Sequence, residues 1–173
     1  NLVSNAGVVA TDVTGVGSIR YKTRACDYGG DKGIFAFGLP GPMSLSNLVS
    51  NAGVVATDTT GVGTARQSPG ACEYGDDKGI FGYGHTGSSF ANMTNLVSNA
   101  GVVATDTTGV GTARNGCAAC SYGEDKGIFG YGSTPSLVGM TNLVSNAGVV
   151  ATDTTGVGTA RSYPGACEYG GDK

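Results

Sequence analysis

The sequence predicts an all-β chain built from a tandem repeat of about 47 residues. Two observations carry that expectation. A block of twenty residues, Asn47–Arg66, recurs unchanged at Asn95–Arg114 and Asn142–Arg161, and Asn1–Arg20 differs from it only at Val13, Ser18 and Ile19. Between glycines at fixed places lie short runs of Val, Thr, Ile, Tyr and Phe, the residues that suit strands, and no stretch shows apolar spacing of 3.6. Glycine makes up 32 of 173 residues, far above the usual ~7%. Its periodic placement marks turns rather than low complexity.

Block starts at 1, 47, 95 and 142 divide the chain into repeats 1–46, 47–94, 95–141 and 142–173, the last one incomplete. Each repeat reads as four strands. Leu48–Ser50 and Val54–Thr57 flank Asn51-Ala52-Gly53, which fits a type I turn closed by a left-handed glycine. Ala71–Tyr74 and Ile80–Tyr83 flank Gly75-Asp76-Asp77-Lys78, a turn with Gly and Asp where positive φ or side-chain bonding is needed. Two hairpins per repeat is the size of a four-stranded propeller blade, and one such blade cannot bury its faces alone. The expected fold is therefore a row of four-stranded antiparallel blades, with an open β-solenoid or hairpin fibre as the alternative.

The motifs Gly79-Ile80-Phe81-Gly82-Tyr83-Gly84 and Asp58 to Arg66 resemble the second strand and the third-strand-to-Arg segment of the kelch repeat, in a chain that lacks the family's usual fourth-strand Trp. The resemblance implies a kelch-like β-propeller. The chain also resembles, more weakly, repeat proteins predicted in environmental and phage-type sequences, a resemblance that implies no function. Copper chemistry of the kind known in a kelch-type oxidase needs two histidine ligands, and His85 is the single histidine here. Four copies of Asn-Leu-Val-Ser and of Cys-x-Tyr stand against three of Gly-Ile-Phe. The expectation is a piece of a longer chain, or a protomer completed by another copy.

Composition narrows the function. Net charge is −3 with ten basic residues spread through the repeats, whereas nucleic acid calls for a clustered basic patch. No apolar run approaches the ~20 residues of a membrane span. The segment Asp58-Thr59-Thr60-Gly61 has one Thr too many for an aspartic-protease signature and too few carboxylates for a calcium loop. It reads as a turn whose Asp pairs with Arg66 or with a neighbouring repeat's equivalent. Four of the five cysteines (Cys26, Cys72, Cys120, Cys167) share one position on the innermost strand and read as buried free thiols. Cys117 is the odd one; in Cys117-Ala-Ala-Cys120 a redox or zinc role is weakly supported, and a free thiol or a link to another chain is the sharper expectation. Tyr74 and Tyr83 read as packing between blades.

Substantial divergence between copies falls in two places: the residues after the Arg (Tyr21–Arg24, Gln67–Gly70, Asn115–Ala118, Ser162–Gly165) and the loop after the Gly-Ile-Phe strand (Leu39–Ser46, His85–Thr94, Ser133–Thr141). In an up-down-up-down blade both connections emerge on one face. Loops carried by a rigid scaffold are where binding concentrates, so the candidate binding residues are Tyr21, Lys22, Arg24, Gln67, His85, Phe90, Asn115, Ser133 and Tyr163. The expected function is a non-enzymatic structural or interaction module, part of a larger surface, fibre or virion-type assembly in an extracellular or virion-surface setting. Its expected partners are further copies of itself or the rest of a longer chain, with a carbohydrate-binding propeller as the alternative. No catalytic residue, metal site or cofactor is expected.

Overall fold

The computed structural model describes residues 1–170. It is all-β: nine strands form three antiparallel three-stranded sheets. The first holds β1 (Arg24–Tyr28), β2 (Lys32–Gly38) and β3 (Met43–Val49). The second holds β4 (Gly70–Tyr74), β5 (Lys78–His85) and β6 (Phe90–Val97). The third holds β7 (Ala118–Tyr122), β8 (Lys126–Gly130) and β9 (Thr141–Val144). Register repeats as the sequence does: Cys26 faces Ile34, Cys72 faces Ile80 and Cys120 faces Ile128. Each sheet straddles two sequence repeats, since β3 runs across the boundary at Asn47.

The sheets have three strands where four are expected, and the described sheets do not close into a ring. The segment after the Asn-Ala-Gly turn runs beside β3 but meets it only at isolated bridges, Val49 with Val55, Ser46 with Thr59 and Met43 with Arg66. Two features break the ladder. Glycines at 61 and 63 weaken a strand, and the Asn47 side chain itself donates to the Ala56 carbonyl at 3.0 Å and to Asp58 at 2.9 Å. The expected turn at Asn51-Ala52-Gly53 is present, with Gly53 at φ +74° and its N–H donated to the Ser50 carbonyl at 2.8 Å.

The core lies between sheets rather than within them. One cluster joins Cys26, Tyr28, Ile34 and Phe37 to Phe81 and Val97 of the second sheet; the next joins Cys72, Tyr74, Ile80 and Tyr83 to Phe129 and Val144 of the third. Rings meet edge to face, Phe37 with Phe81 at 5.4 Å and Tyr83 with Phe129 at 5.2 Å, the geometry their quadrupoles favour. Tyr74 and Tyr83 are thus packing residues, 4% and 0% exposed. Cys26 lies over Gly79, and Cys72 over Gly127, so closely that a methyl group there would fall 2.6 and 2.7 Å from the sulfur. Glycine stands second in β5 and β8, where the thiol of the preceding sheet occupies the space.

An arginine clasps each pair of sheets. Arg66 is wholly buried and stacks over Phe37 at 3.9 Å. It donates to Asn95 Oδ1 at 2.6 Å and to the Thr64 carbonyl at 3.2 Å, with Asp106 at 4.0 Å. Arg114 repeats the arrangement over Tyr83 with Asn142, the Thr112 carbonyl and Asp153. Asp106 also accepts from the Thr64 N–H and hydroxyl and from Asn95. Of the two pairings open from sequence, the arginine takes the next repeat's aspartate. Burial alone would raise the Asp106 carboxyl, but bonds from Thr64 and Asn95 and the Arg66 charge outweigh it and hold it below the usual range. Burial lowers Arg66 to about 10.

Candidate functional site: the variable face

The two variable stretches of each unit meet as backbone pairs. Tyr21 bridges Leu39, Gln67 bridges His85 and Asn115 bridges Ser133, each through reciprocal N–H to carbonyl bonds of 2.9 to 3.0 Å. Sequence reasoning puts these stretches on one face, and the bridges bring them together residue by residue. A second set of bonds links the sheets there. The Ser68 N–H donates to the Lys22 carbonyl at 3.0 Å, Gly116 to Ser68 at 3.1 Å and Tyr163 to Gly116 at 2.9 Å. Lys22, Ser68, Gly116 and Tyr163 all have φ between 50° and 62°, which turns each chain across to its neighbour. Ser68 and Gly116 are structural members of the face that the candidate set lacks; Gly116, a glycine inside a variable stretch, is the sequence signal for the turn.

The side chains fall into two groups. Tyr21 (57% exposed) and Tyr163 (49%) present their rings outward, and Lys22 is exposed. Arg24 lies 5.9 Å from the Tyr163 ring, whose hydroxyl bonds the Ser68 hydroxyl at 3.2 Å. Tyr163 thus gathers residues of the first, second and third units at one point. Gln67 is half-buried with an unpartnered Oε1, and Asn115 Oδ1 accepts from the Ser133 hydroxyl at 2.8 Å. His85 and Phe90 form a pair of their own, rings edge to face at 5.0 Å, with His85 Nδ1 accepting the Gly87 N–H at 2.9 Å. That bond shapes the loop.

Beneath the face, the aromatic before the last glycine of each such strand (Ala36-Phe37-Gly38, Gly82-Tyr83-Gly84, Gly130-Tyr131-Gly132) lies in the left-handed region: φ is 64° at Phe37, 64° at Tyr83 and 60° at Tyr131. In the first two sheets the register shifts at this point, between Ala36 and Gly38 and between Gly82 and Gly84, so the motif is a β-bulge that turns the ring inward onto the arginine. Bulge and clasp hold the strand ends that carry the loops.

Cys117 corrects the sequence reading. It is 1% exposed within the second cluster, so its thiol is free but does not reach another chain. Burial pushes it up to about 11, and Cys72 up to about 12, the opposite of an activated thiolate. The shared inner-strand position does not bury every thiol as the sequence suggests: Cys26 and Cys72 are buried, where the following sheet covers them, but Cys120 is half-buried and Cys167 is exposed. Inner-strand residues, among them Cys26, Cys72, Cys120 and Glu73, border a cavity of about 370 Å³. Among the described residues no three His, Cys, Asp or Glu side chains gather to hold a metal ion. No described helix is long and apolar enough to cross a membrane.

No protein-family model and no curated protein matches the chain. Among solved structures it is similar to "Structure of YjhT", at 14% identity and a TM-score of 0.59 over 78% of this chain and 44% of that one. It is also similar to a fungal alcohol oxidase of the AA5 family in complex with copper, at 14% identity and a TM-score of 0.50 over 77% of this chain and 31% of that one. The chain therefore spans less than half of either structure, and the likeness is one of fold.

Proposed function

We propose that this chain is a non-enzymatic interaction module of kelch-like propeller type, its three sheets serving as blades and the variable face as its recognition surface. The observation that carries the reading is the pairing of Tyr21 with Leu39, Gln67 with His85 and Asn115 with Ser133. The two stretches in which the copies diverge most lie side by side, on a frame that is nearly the same in each unit. The pairing uses backbone atoms alone, so side chains at these positions are free to vary without loss of the bonds that hold them. A larger surface, fibre or virion-type assembly is the setting that suits a chain with this many near-identical units.

A carbohydrate ligand is the second reading, favoured by the exposed rings of Tyr21 and Tyr163 on that face, since a tyrosine ring offers an apolar plane and a polar tip. Both readings are tested by probing glycan and protein arrays with the chain and with a triple variant, Tyr21→Ala, Gln67→Ala and Asn115→Ala, one substitution per unit at the same structural position. Loss of the wild-type signals in the variant supports the variable face. Signals that survive in the variant but vanish in Asp77→Ala place recognition on the opposite end.

A further inference from the structure

The basic side chains of the repeated frame have acid partners. Lys32, Lys78 and Lys126 pair with Asp31, Asp77 and Asp125, and Arg66 and Arg114 lie beside Asp106 and Asp153. Lys22 and Arg24, two residues apart in the first variable stretch, differ. Among the described residues no carboxylate pairs with either. Lys22 is exposed. Arg24 donates from Nη1 to the Thr23 carbonyl at 3.0 Å, and the rest of its five-donor fork is left unengaged.

Arg24 stands at the mouth of the inner cavity, among the units. Its guanidinium lies 5.9 Å from the Tyr163 ring. Burial raises the Cys117 thiol of the third unit, and the charges of Arg114 and Arg24 draw it partly back. Tyr163 is fixed in turn: its N–H donates to the Gly116 carbonyl at 2.9 Å and its hydroxyl bonds that of Ser68 at 3.2 Å. The Ser68 N–H donates to the Lys22 carbonyl at 3.0 Å, which brings Lys22 to the same rim. Where the first unit has Arg24, the others have Gly70, Ala118 and Gly165, so small residues leave room around the cation. The residues that follow these four, Ala25, Ala71, Ala119 and Ala166, border the cavity of about 370 Å³, within the range of small-molecule sites, about 300–1,000 Å³. Deeper along the strands the cavity is bordered by Asp27 and Glu73. Asp27 is three residues past Arg24, about 10 Å at the rise of a strand. The mouth is thus cationic and aromatic, and the interior offers hydrogen-bond acceptors.

We propose that this mouth binds an acidic sugar, its carboxylate or sulfate on Arg24 and Lys22, its ring beside Tyr163 and its hydroxyls toward the cavity. The inference rests on the reading of the variable face as the recognition surface, and it gives the carbohydrate reading a ligand class. A guanidinium fork matches two oxygens of one oxyanion. A tyrosine ring offers the sugar an apolar plane and a polar tip. Asp27 and Glu73 accept from sugar hydroxyls but repel a second negative charge. A ligand with one acid group and several hydroxyls therefore fits, whereas an acidic peptide does not, and a neutral sugar leaves Arg24 unengaged.

Titration calorimetry of the full chain with methyl glucuronide, glucose sulfate and methyl glucoside tests it. The wild type binds each acid sugar about tenfold more tightly than the neutral one, as a charge-assisted contact allows, and added salt shrinks that preference. Arg24→Gln removes the preference and leaves the glucoside affinity where it was, while Tyr163→Ala weakens all three sugars. Glycine and alanine fill the Arg24 position in the other units, so the frame tolerates the change, and circular dichroism checks that each variant keeps its β signature. Equal affinity for the three sugars, no binding of the acid sugars, or a preference that survives in Arg24→Gln overturns the proposal. So does sodium acetate or sulfate bound as tightly as the acid sugars, which leaves an anion site only, or a glutamate-rich peptide bound more tightly, which makes the partner a protein. The two readings fail separately, because the triple variant leaves Lys22, Arg24 and Tyr163 in place. Array signals lost in the triple variant, from a chain blind to the acid group, keep the variable face and lose the acidic sugar. Signals lost in Asp77→Ala instead lose the face itself.

Discussion

The two ends of the sheets are built on opposite terms. At the uniform end side-chain bonds reinforce the backbone ones. Asn51, Asn99 and Asn146 donate to Asp31, Asp77 and Asp125, and Lys32, Lys78 and Lys126 pair with those same carboxylates at 2.8 to 2.9 Å. The Gly29 N–H donates to the Asp77 carbonyl, and Gly75 to that of Asp125, both at 2.7 Å. Each turn thus needs its Asn, its Asp-Lys and its Gly. At the variable end the bridges at Tyr21, Gln67 and Asn115 are backbone bonds, indifferent to the side chain. Residue identity is fixed where side chains hold the frame and free where the backbone does. The sameness of the uniform turns thus has a structural cause.

The sharpest way to break this comparison lies just beneath the variable end, where side-chain bonding begins again. Arg66→Ala leaves Asn95 and Asp106 without their cation and uncovers the Phe37 ring. Breaking a buried charged contact of this kind costs about 3–5 kcal/mol, and urea unfolding should show a loss of that size. Arg66→Lys should recover little, because an ammonium lacks the planar fork that serves Asn95 and the Thr64 carbonyl together.

Next in size is Gly101→Val. It places a β-branched residue at φ +77°, which costs about 1–3 kcal/mol, and drives its side chain into Tyr28 and Leu48 besides. Gly127→Ala, at ordinary φ, isolates the packing component. Its methyl meets Cys72 and overpacks the contact by about 1–3 kcal/mol, and Cys72→Ala in the same chain should recover part of that loss.

The effect of acid should be smaller and should belong to the clasp. Asp106 and Asp153 have folded carboxyls below their unfolded range, for which the Thr64 and Thr112 bonds, Asn95 and Asn142, and the arginine charges outweigh burial. A lowered carboxyl contributes stability that is complete above the unfolded value and is lost as pH falls through the folded one. Melting temperature should therefore hold from neutrality to about pH 4, the ordinary range for aspartate, and fall below it. Asp106→Asn should be less stable at neutral pH and should show a shallower acid fall.

The legibility of the sequence follows the same division. The hairpins, their turns, the shared face of the two loop classes and the packing role of Tyr74 and Tyr83 all follow from local signals, repeated often enough to be read. The fourth strand that the pattern predicts over Val54–Thr57 is reduced to isolated bridges, because Asn47 takes the Ala56 carbonyl with a side chain and no propensity scale records that. The clasp was half legible: Asp58 and Arg66 stand out as a pair, but only the fold shows that the arginine reaches forward to the next unit. Of the two expectations for Cys117, a free thiol or a link to another chain, burial in the cluster with Tyr83 and Phe129 leaves the free thiol, which its variable sequence neighbours do not announce. The inward turn of Phe37 and Tyr83 depends on a bulge with a non-glycine residue at positive φ, a conformation that no single residue announces.

The central claim is that the uniform end holds the frame while the variable end is free to recognise. Thermal unfolding of two variants side by side tests it most directly: Asn99→Ala combined with Asp77→Ala on the uniform end, and Tyr21→Ala, Gln67→Ala and Asn115→Ala together on the variable end. The account expects the first to melt lower than the wild type, because it removes the Asn99–Asp77 bond and leaves Lys78 without its carboxylate. It expects the second to melt within about 0.5 kcal/mol per site of the wild type. A variable-end variant that melts as low as the uniform-end one, or a uniform-end variant that melts like the wild type, would contradict it.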